Sequence, residues 1–492
     1  MTDLSKSKEF LIFGIVLFLI LEFLLYGFYS SNPGLCKFTL QLSFIGIVIY
    51  SFYIFKKLTG SFFSIHTLFL GLFIYFLGSR VILDFFGYMN IHELDYYSVY
   101  TISFKTLCRT LLNLNIAVAT YLIGAILFLV RHPNFSFKIA TQDSVYSKNR
   151  LIDVLFVIGI LFKVYFSVQL FMQLTSKGYL AYFLGDFEVQ RNIVQWFFES
   201  FALIGLFVYF SRNKKLTLWI YLGAVFYAAL SLATGQRGIG FLFLVFSSFY
   251  LIQLGKIKLT KTKILVFVSI LYTVSVAFEI FRRGGENISG VGVLLEGIPN
   301  FFWRGSVSSS LLVYSIDYKE VLDYSFVDLF GNIKYLIDYY ITKLSGGSPI
   351  SNMMEANALR YKLFGPYLSY TVNPKMYGLG LALGGSYVAQ LFALGNETAQ
   401  IIGGLFVGYT ISLFYSFLSS EKFFIRFLGF NFLLSFIYIP RDNLLDFLTE
   451  YWIVYIALFT YISLIKLSMW ESFYKIIGLN TEKRRSINED II

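Results

Sequence analysis

The sequence predicts an all-α polytopic integral membrane protein with about twelve transmembrane helices and one large external loop that carries short helices of its own. Three observations point there. Hydrophobic residues make up 57% of the chain and charged residues only 14%, where a soluble domain carries about 25% charge. Apolar runs of spanning length recur along almost the whole chain, separated by short connectors. Only one long interval, residues 282–397, lacks a clear spanning run.

Taken in order, the chain opens with Lys6 and Lys8 ahead of an apolar run at 9–29. No small-residue cleavage site follows it, so this run reads as an uncleaved first helix rather than a signal peptide. Further runs lie near 38–55, 62–83, 107–130, 151–173, 194–210, 216–233, 238–254 and 264–281. After the interruption come 398–419, 424–440 and 449–467. Basic connectors alternate along the chain: Lys56-Lys57, Arg131 to Arg150, Arg212 to Lys215, Lys256 to Lys263, Lys422 to Arg426, and Lys483-Arg484-Arg485. All fall on one side, which the positive-inside rule assigns to the cytoplasm together with both termini. The chain then divides into nine helices over 1–281, an external cap over 282–397, three helices over 398–467 and a cytoplasmic tail over 468–492, the end of which reads as disordered.

Composition also excludes. The net charge of +11 resides in the connectors and needs no nucleic acid to explain it. Two cysteines, Cys36 and Cys108, make no disulfide framework. The three histidines, His66, His92 and His132, have no ligand spacing. Asp186-Phe187-Glu188 has an acid-x-acid spacing that suits a divalent metal, but two acids at that spacing are common, and the expectation is a metal-independent protein without a cofactor.

The topology makes a second class of arginine visible. Arg191, Arg237, Arg282, Arg283, Arg304 and Arg441 fall on the outer side at or near helix ends, where cations are not expected and burial in the bilayer is unfavourable. Several such arginines around one bundle point to an anionic ligand. Thr234-Gly235-Gln236-Arg237-Gly238 joins two helices by a tight glycine turn. Its free amides and the forked donor of Arg237 suit a phosphate, while the bland alternative is a snorkelling arginine. Pro440-Arg441-Asp442 ends another helix; Pro440 frees backbone groups there, and Arg441 and Asp442 either face a ligand or pair with one another. Arg282-Arg283-Gly284-Gly285-Glu286 opens the cap, and Trp303-Arg304 sets an aromatic beside a cation, an arrangement that suits a sugar face. The run from Gly384 to Glu397, with Gln390 inside it, reads as a helix that enters the membrane and breaks at Gly395.

These residues resemble the Wzy-type O-antigen and repeat-unit polysaccharide polymerases over roughly 150–465. The resemblance rests on the glycine–arginine turn at Thr234–Gly238, the long external loop, the Gly384-Gly385-Ser386 to Gly395 run and the Pro440-Arg441-Asp442 turn. The family often carries a Glu where this chain has Gln390, which leaves open whether Glu397 takes that place. The resemblance implies a GT-C-like glycosyltransferase of the bacterial inner membrane. It would transfer a growing glycan from undecaprenyl diphosphate to a new lipid-linked repeat unit on the periplasmic side. Its partners would be that lipid-linked oligosaccharide, the bilayer and a chain-length regulator. In this reading Arg237, Arg441 and Arg283 stabilise the leaving group. Glu286, Asp442 and Asp338 are candidate bases. Arg191, Arg282, Arg304, Trp303, Gly235, Gly238 and Gln390 line the substrate. A flippase for the same lipid and an O-antigen ligase are the alternatives; a flippase should show an internal repeat and short loops on both sides, which this sequence lacks.

Overall fold

A computed structural model of the chain describes residues 2–28, 31–94, 101–133, 135, 139, 151–177, 193–211, 218–233, 237–256, 269, 273, 292–345, 355–379, 382–449 and 452–467. The run at 264–281, the tail at 468–492, and the segments carrying Asp186, Glu188, Arg191, Gly235, Arg282, Arg283 and Glu286 lie outside these residues. The described residues are mostly helical and contain no strand. Nine helices among them are long and apolar enough to cross a membrane, and two shorter apolar helices lie at Leu222–Ser231 and Gly240–Gln253.

The chain divides into two compact units. The first contains α1 (Thr2–Gly27), α2 (Pro33–Thr59), α3 (Ile65–Phe73), α4 (Ser79–Phe85) and α5 (Phe104–Arg131). The second unit is built on α6 (Leu151–Lys177), α7 (Ile193–Ser211), α8 (Leu218–Ala233), the start of α9 (Arg237–Gln253) and a helix over 452–467. The remaining helices belong to the first unit. They are α10 (Gly292–Gly305), α11 (Ser308–Asp317), α12 (Gly331–Leu344), α13 (Glu355–Tyr361), α14 (Phe364–Val372), α15 (Pro374–Gly378), α16 (Tyr387–Leu418) and α17 (Phe423–Phe436). Residues 292–378 fold into short helices.

Sequence chemistry explains the boundaries. Asn32 caps α2 by accepting the Leu35 amide, and Lys56 and Lys57 close its last turn, where cations suit the carbonyl end of a helix. Ser64 and Thr67 form a reciprocal capping box at the start of α3. The apolar run expected at 62–83 is one span with a π-helical turn at Ile74–Gly78, next to which Ser79 Oγ donates to the Ile74 carbonyl at 2.9 Å. The helix expected from 398 starts at Tyr387 and breaks at Gly395 and Asn396, Asn396 taking a φ of 54° with a ψ of −147°, outside both helical wells.

The core of the first unit is the contact between α5 and α16. Gly404 and Gly408 of α16 lie against Thr120 and the Tyr121 backbone, and Gly124 of α5 lies against the Leu405 carbonyl. A side chain at any of the three would collide with its neighbour, so the glycines let the two backbones close up. Buried α11 packs onto the same pair of helices. The helix α4, the starts of α5 and α16 and the turn after α17 meet the short helices; this is called the cap end below.

Candidate functional site

The site is built around the turn after α17. Pro440 cannot donate to a helix ladder, and the chain passes through a short 3-10 turn at Ile439–Arg441 and another at Asp446–Leu448. Arg441 is half-buried. Its Nη1 makes one long hydrogen bond of 3.5 Å to Ser308 Oγ, the first residue of α11, and its guanidinium lies 5.9 Å from the Phe76 ring. No carboxylate among the described residues lies within ion-pair distance of it. The local pair with Asp442 that the sequence left open does not form, and Asp442 Oδ1 instead accepts the Asn443 amide at 2.9 Å. Most of the donors of Arg441 are therefore unspent beside a carboxylate, an arrangement fitted to an anionic guest.

A second motif holds this turn in place. Gly385 packs against it so closely that a Cβ there would sit 2.9 Å from the backbone of Asp442 and Asn443. One helical turn on, Gln390 is 2% exposed. Its Oε1 accepts the Leu444 amide at 2.9 Å and its Nε2 donates to Tyr324 Oη at 2.7 Å. Asp446 adds a second clamp by accepting from Asn332 Nδ2 and, at 2.8 Å, from Asn443 Nδ2. Both ends of the Gln390 amide are thus committed to protein groups, so Gln390 holds the turn and is not itself open to a substrate.

The start of α11 also meets Arg80, a residue the sequence reading missed. Arg80 is 4% exposed. Its Nε donates to the Trp303 carbonyl at 2.9 Å, its Nη1 donates to Ser310 Oγ at 3.0 Å, and its guanidinium stacks 4.7 Å from the Trp303 ring. The cation on the Trp303 face is therefore Arg80 and not its chain neighbour Arg304, which is exposed. Arg80 ties α4 to α10 and α11 and so fixes the serine end of α11 under Arg441.

The far end of α11 carries another cluster. Thr106 Oγ1 donates to Asp317 Oδ1 at 2.5 Å, fastening α11 to α5. Arg109 grips Glu397 with two bonds, Nε to Oε1 at 2.7 Å and Nη2 to Oε2 at 3.0 Å. The break at Gly395 and Asn396 releases the Ala393 carbonyl, which accepts from the Lys319 ammonium. Burial and the nearby Arg109 hold the Lys319 ammonium below the usual lysine range.

The structure thus brings together Arg441, Asp442, Trp303, the Gly384–Ser386 run and Gln390, all from the sequence reading, and adds Arg80, Arg109 and Lys319. Arg237 and Gly238 are the first two residues of α9, in the second unit. Asp338 accepts from Arg360 Nη2 and from Tyr361 Oη, each at 3.0 Å, and belongs to the cap's own packing. Arg80 and Arg109 were findable: each is a charge at the edge of an apolar run, a pattern that marks function in membrane helices. Among the described residues no three His, Cys, Asp or Glu side chains converge in a way that would hold a metal. Cys36 and Cys108 are free buried thiols.

Compared with known proteins, the chain matches along residues 10–471 a family model described as O-antigen polysaccharide polymerase Wzy. No curated protein and no solved structure matches it.

Proposed function

This chain belongs to the O-antigen polysaccharide polymerase Wzy family, and from that premise we propose that it transfers a growing glycan from a polyisoprenyl diphosphate to a new lipid-linked repeat unit at its cap end, facing the periplasm. The observation that carries this reading is Arg441: a half-buried guanidinium at a helix break, with donors unspent, no carboxylate partner among the described residues, and Asp442 beside it.

The chemistry follows from those two groups. A hydroxyl of the acceptor's terminal sugar attacks the anomeric carbon of the donor chain. The bond from that carbon to the diphosphate oxygen breaks, and its electron pair leaves with the diphosphate. Arg441 meets the developing charge with fixed donors, which act most strongly where water is excluded. Asp442 takes the proton of the attacking hydroxyl. Trp303 offers an aromatic face of the kind that sugars stack on, held in place by Arg80. Arg237, Arg283, Glu286, Arg282, Arg191 and Arg304 stay as candidates on the sequence reading, as does a chain-length regulator as a partner.

The test is deletion of the gene followed by electrophoresis of the surface polysaccharide. Loss of a polymerase leaves the core carrying a single repeat unit. Loss of all repeat units would point instead to a ligase or a flippase.

A further inference from the structure

A groove of about 380 Å³ runs along the bundle between α1, α5 and α16. Its walls are apolar: Val16, Ile20 and Phe23 from α1, Ile123 and Leu127 from α5, and Ile401 from α16. Val16 and Ile20 are exposed, so the groove opens sideways onto the surface that lipid would cover. Its mouth at the cap end is charged. Ile401 lies one helical turn below Glu397, and Tyr26, just above Phe23, lies within electrostatic reach of Arg109. Arg109 spends its Nε and Nη2 on Glu397, and its Nη1 has no hydrogen-bond partner among the described residues. Lys319 stands close by. An apolar slot that leads up to the Arg109–Glu397 ion pair and to Lys319, a cluster with one net positive charge and a spare Nη1 donor, matches a lipid with a long hydrocarbon tail and an anionic head.

The distance to Arg441 gives the slot a role. Arg441 touches Ser308 at one end of α11, while Asp317 and then Lys319 lie at the other. A ten-residue helix spans about 15 Å. In the transfer proposed above, the donor's diphosphate sits at the reacting carbon. The acceptor's own diphosphate must sit one repeat unit away, because its terminal sugar is the one that reacts. A separation of this order is what an acceptor a few sugars long requires.

Resting on the polymerase reading, we propose that this groove is the acceptor's seat, with the polyisoprenyl chain between α1, α5 and α16 and its diphosphate at Arg109 and Lys319. The donor's diphosphate then belongs to Arg441 at the opposite end of α11.

The test is photocrosslinking of the full-length protein in nanodiscs of zwitterionic phospholipid, with radiolabelled undecaprenyl diphosphate as the probe. A benzophenone amino acid replaces Val16 in the groove or, as a control, Phe38 on the exposed surface of α2. The position at Val16 should label strongly above the Phe38 control. Lys319→Ala, which removes one cation, should lower that labelling to the control level. So should Ile401→Trp, which fills the groove and leaves every charge in place. Equal labelling at both positions would overturn the proposal, as would labelling at Val16 that neither substitution reduces. Displacement of the label by an equimolar anionic phospholipid would overturn it too, by showing a general lipid slot. Arg441→Ala should leave the crosslink intact while polymer is lost. Polymer that survives Arg441→Ala would count against the polymerase chemistry at Arg441 and leave the crosslinking result to stand separately.

Discussion

Gly385 rests on Asp442, with no room for a Cβ between their backbones. The two belong to different motifs of the sequence, and their contact sets where the neighbouring Arg441 points. Gly385→Ala is expected to push the turn outward by forcing a methyl group into backbone that cannot give way, at a cost of about 1–3 kcal/mol. Polymer formed per molecule of membrane protein should fall. Gly378→Ala is the control, because nothing lies within 4 Å of a Cβ there. Equal activity in the two variants would show that the contact does not position Arg441.

Gln390 supplies the second constraint on the same turn. Gln390→Leu removes both hydrogen bonds and leaves the buried Leu444 amide without its acceptor, a loss of about 1–3 kcal/mol. The thermal midpoint of the purified protein and its activity should fall together. Gln390→Glu keeps an acceptor for Leu444 but loses the donor to Tyr324, so its activity should lie between that of the leucine variant and the parent. A glutamate variant more active than the parent would mean that an acid at this position takes part in the chemistry.

Arg80 holds Trp303 by a hydrogen bond and by stacking, and a lysine reproduces neither the planar stack nor the two-pronged geometry. Arg80→Lys is expected to raise the KM for lipid-linked repeat units and lower stability, whereas Trp303→Phe should keep most of the stack. Unchanged kinetics in Arg80→Lys would reduce Arg80 to a passive filler.

How much of this was legible beforehand follows from what sequence displays. Apolar length is local, so the nine described spans could be read directly, and so could Pro440 and Gly395 as points where helices fail. Juxtaposition is not local. Arg80 meets Trp303 and Ser310 across 223 and 230 positions, and Arg109 meets Glu397 across 288. Gln390 looked open to a substrate because its acceptor bond goes to a backbone amide, which no side-chain pattern reveals. The sequence allowed Arg441 either a ligand or Asp442 as its partner, and the geometry of the turn removes the pair with Asp442.

The topology itself can be checked. Asp323 is strongly exposed in the cap segment. A single cysteine there, in a background lacking Cys36 and Cys108, should react with a membrane-impermeant thiol reagent in intact spheroplasts. Reaction only after lysis would put the cap in the cytoplasm and remove the proposed site from the periplasm.

Arg441 carries the central claim, and one paired measurement tests it: polymer length and membrane abundance, determined together for Arg441→Ala and Arg441→Lys. If the guanidinium grips diphosphate oxygens, the alanine variant should lose about 100- to 1,000-fold in polymerisation rate, as when a single preorganised donor to a developing charge is removed. It should leave single repeat units on the surface at unchanged abundance. The lysine variant should recover only part of the rate, since a point charge lacks the two-pronged fit. Full-length polymer from Arg441→Ala at normal abundance would contradict the account.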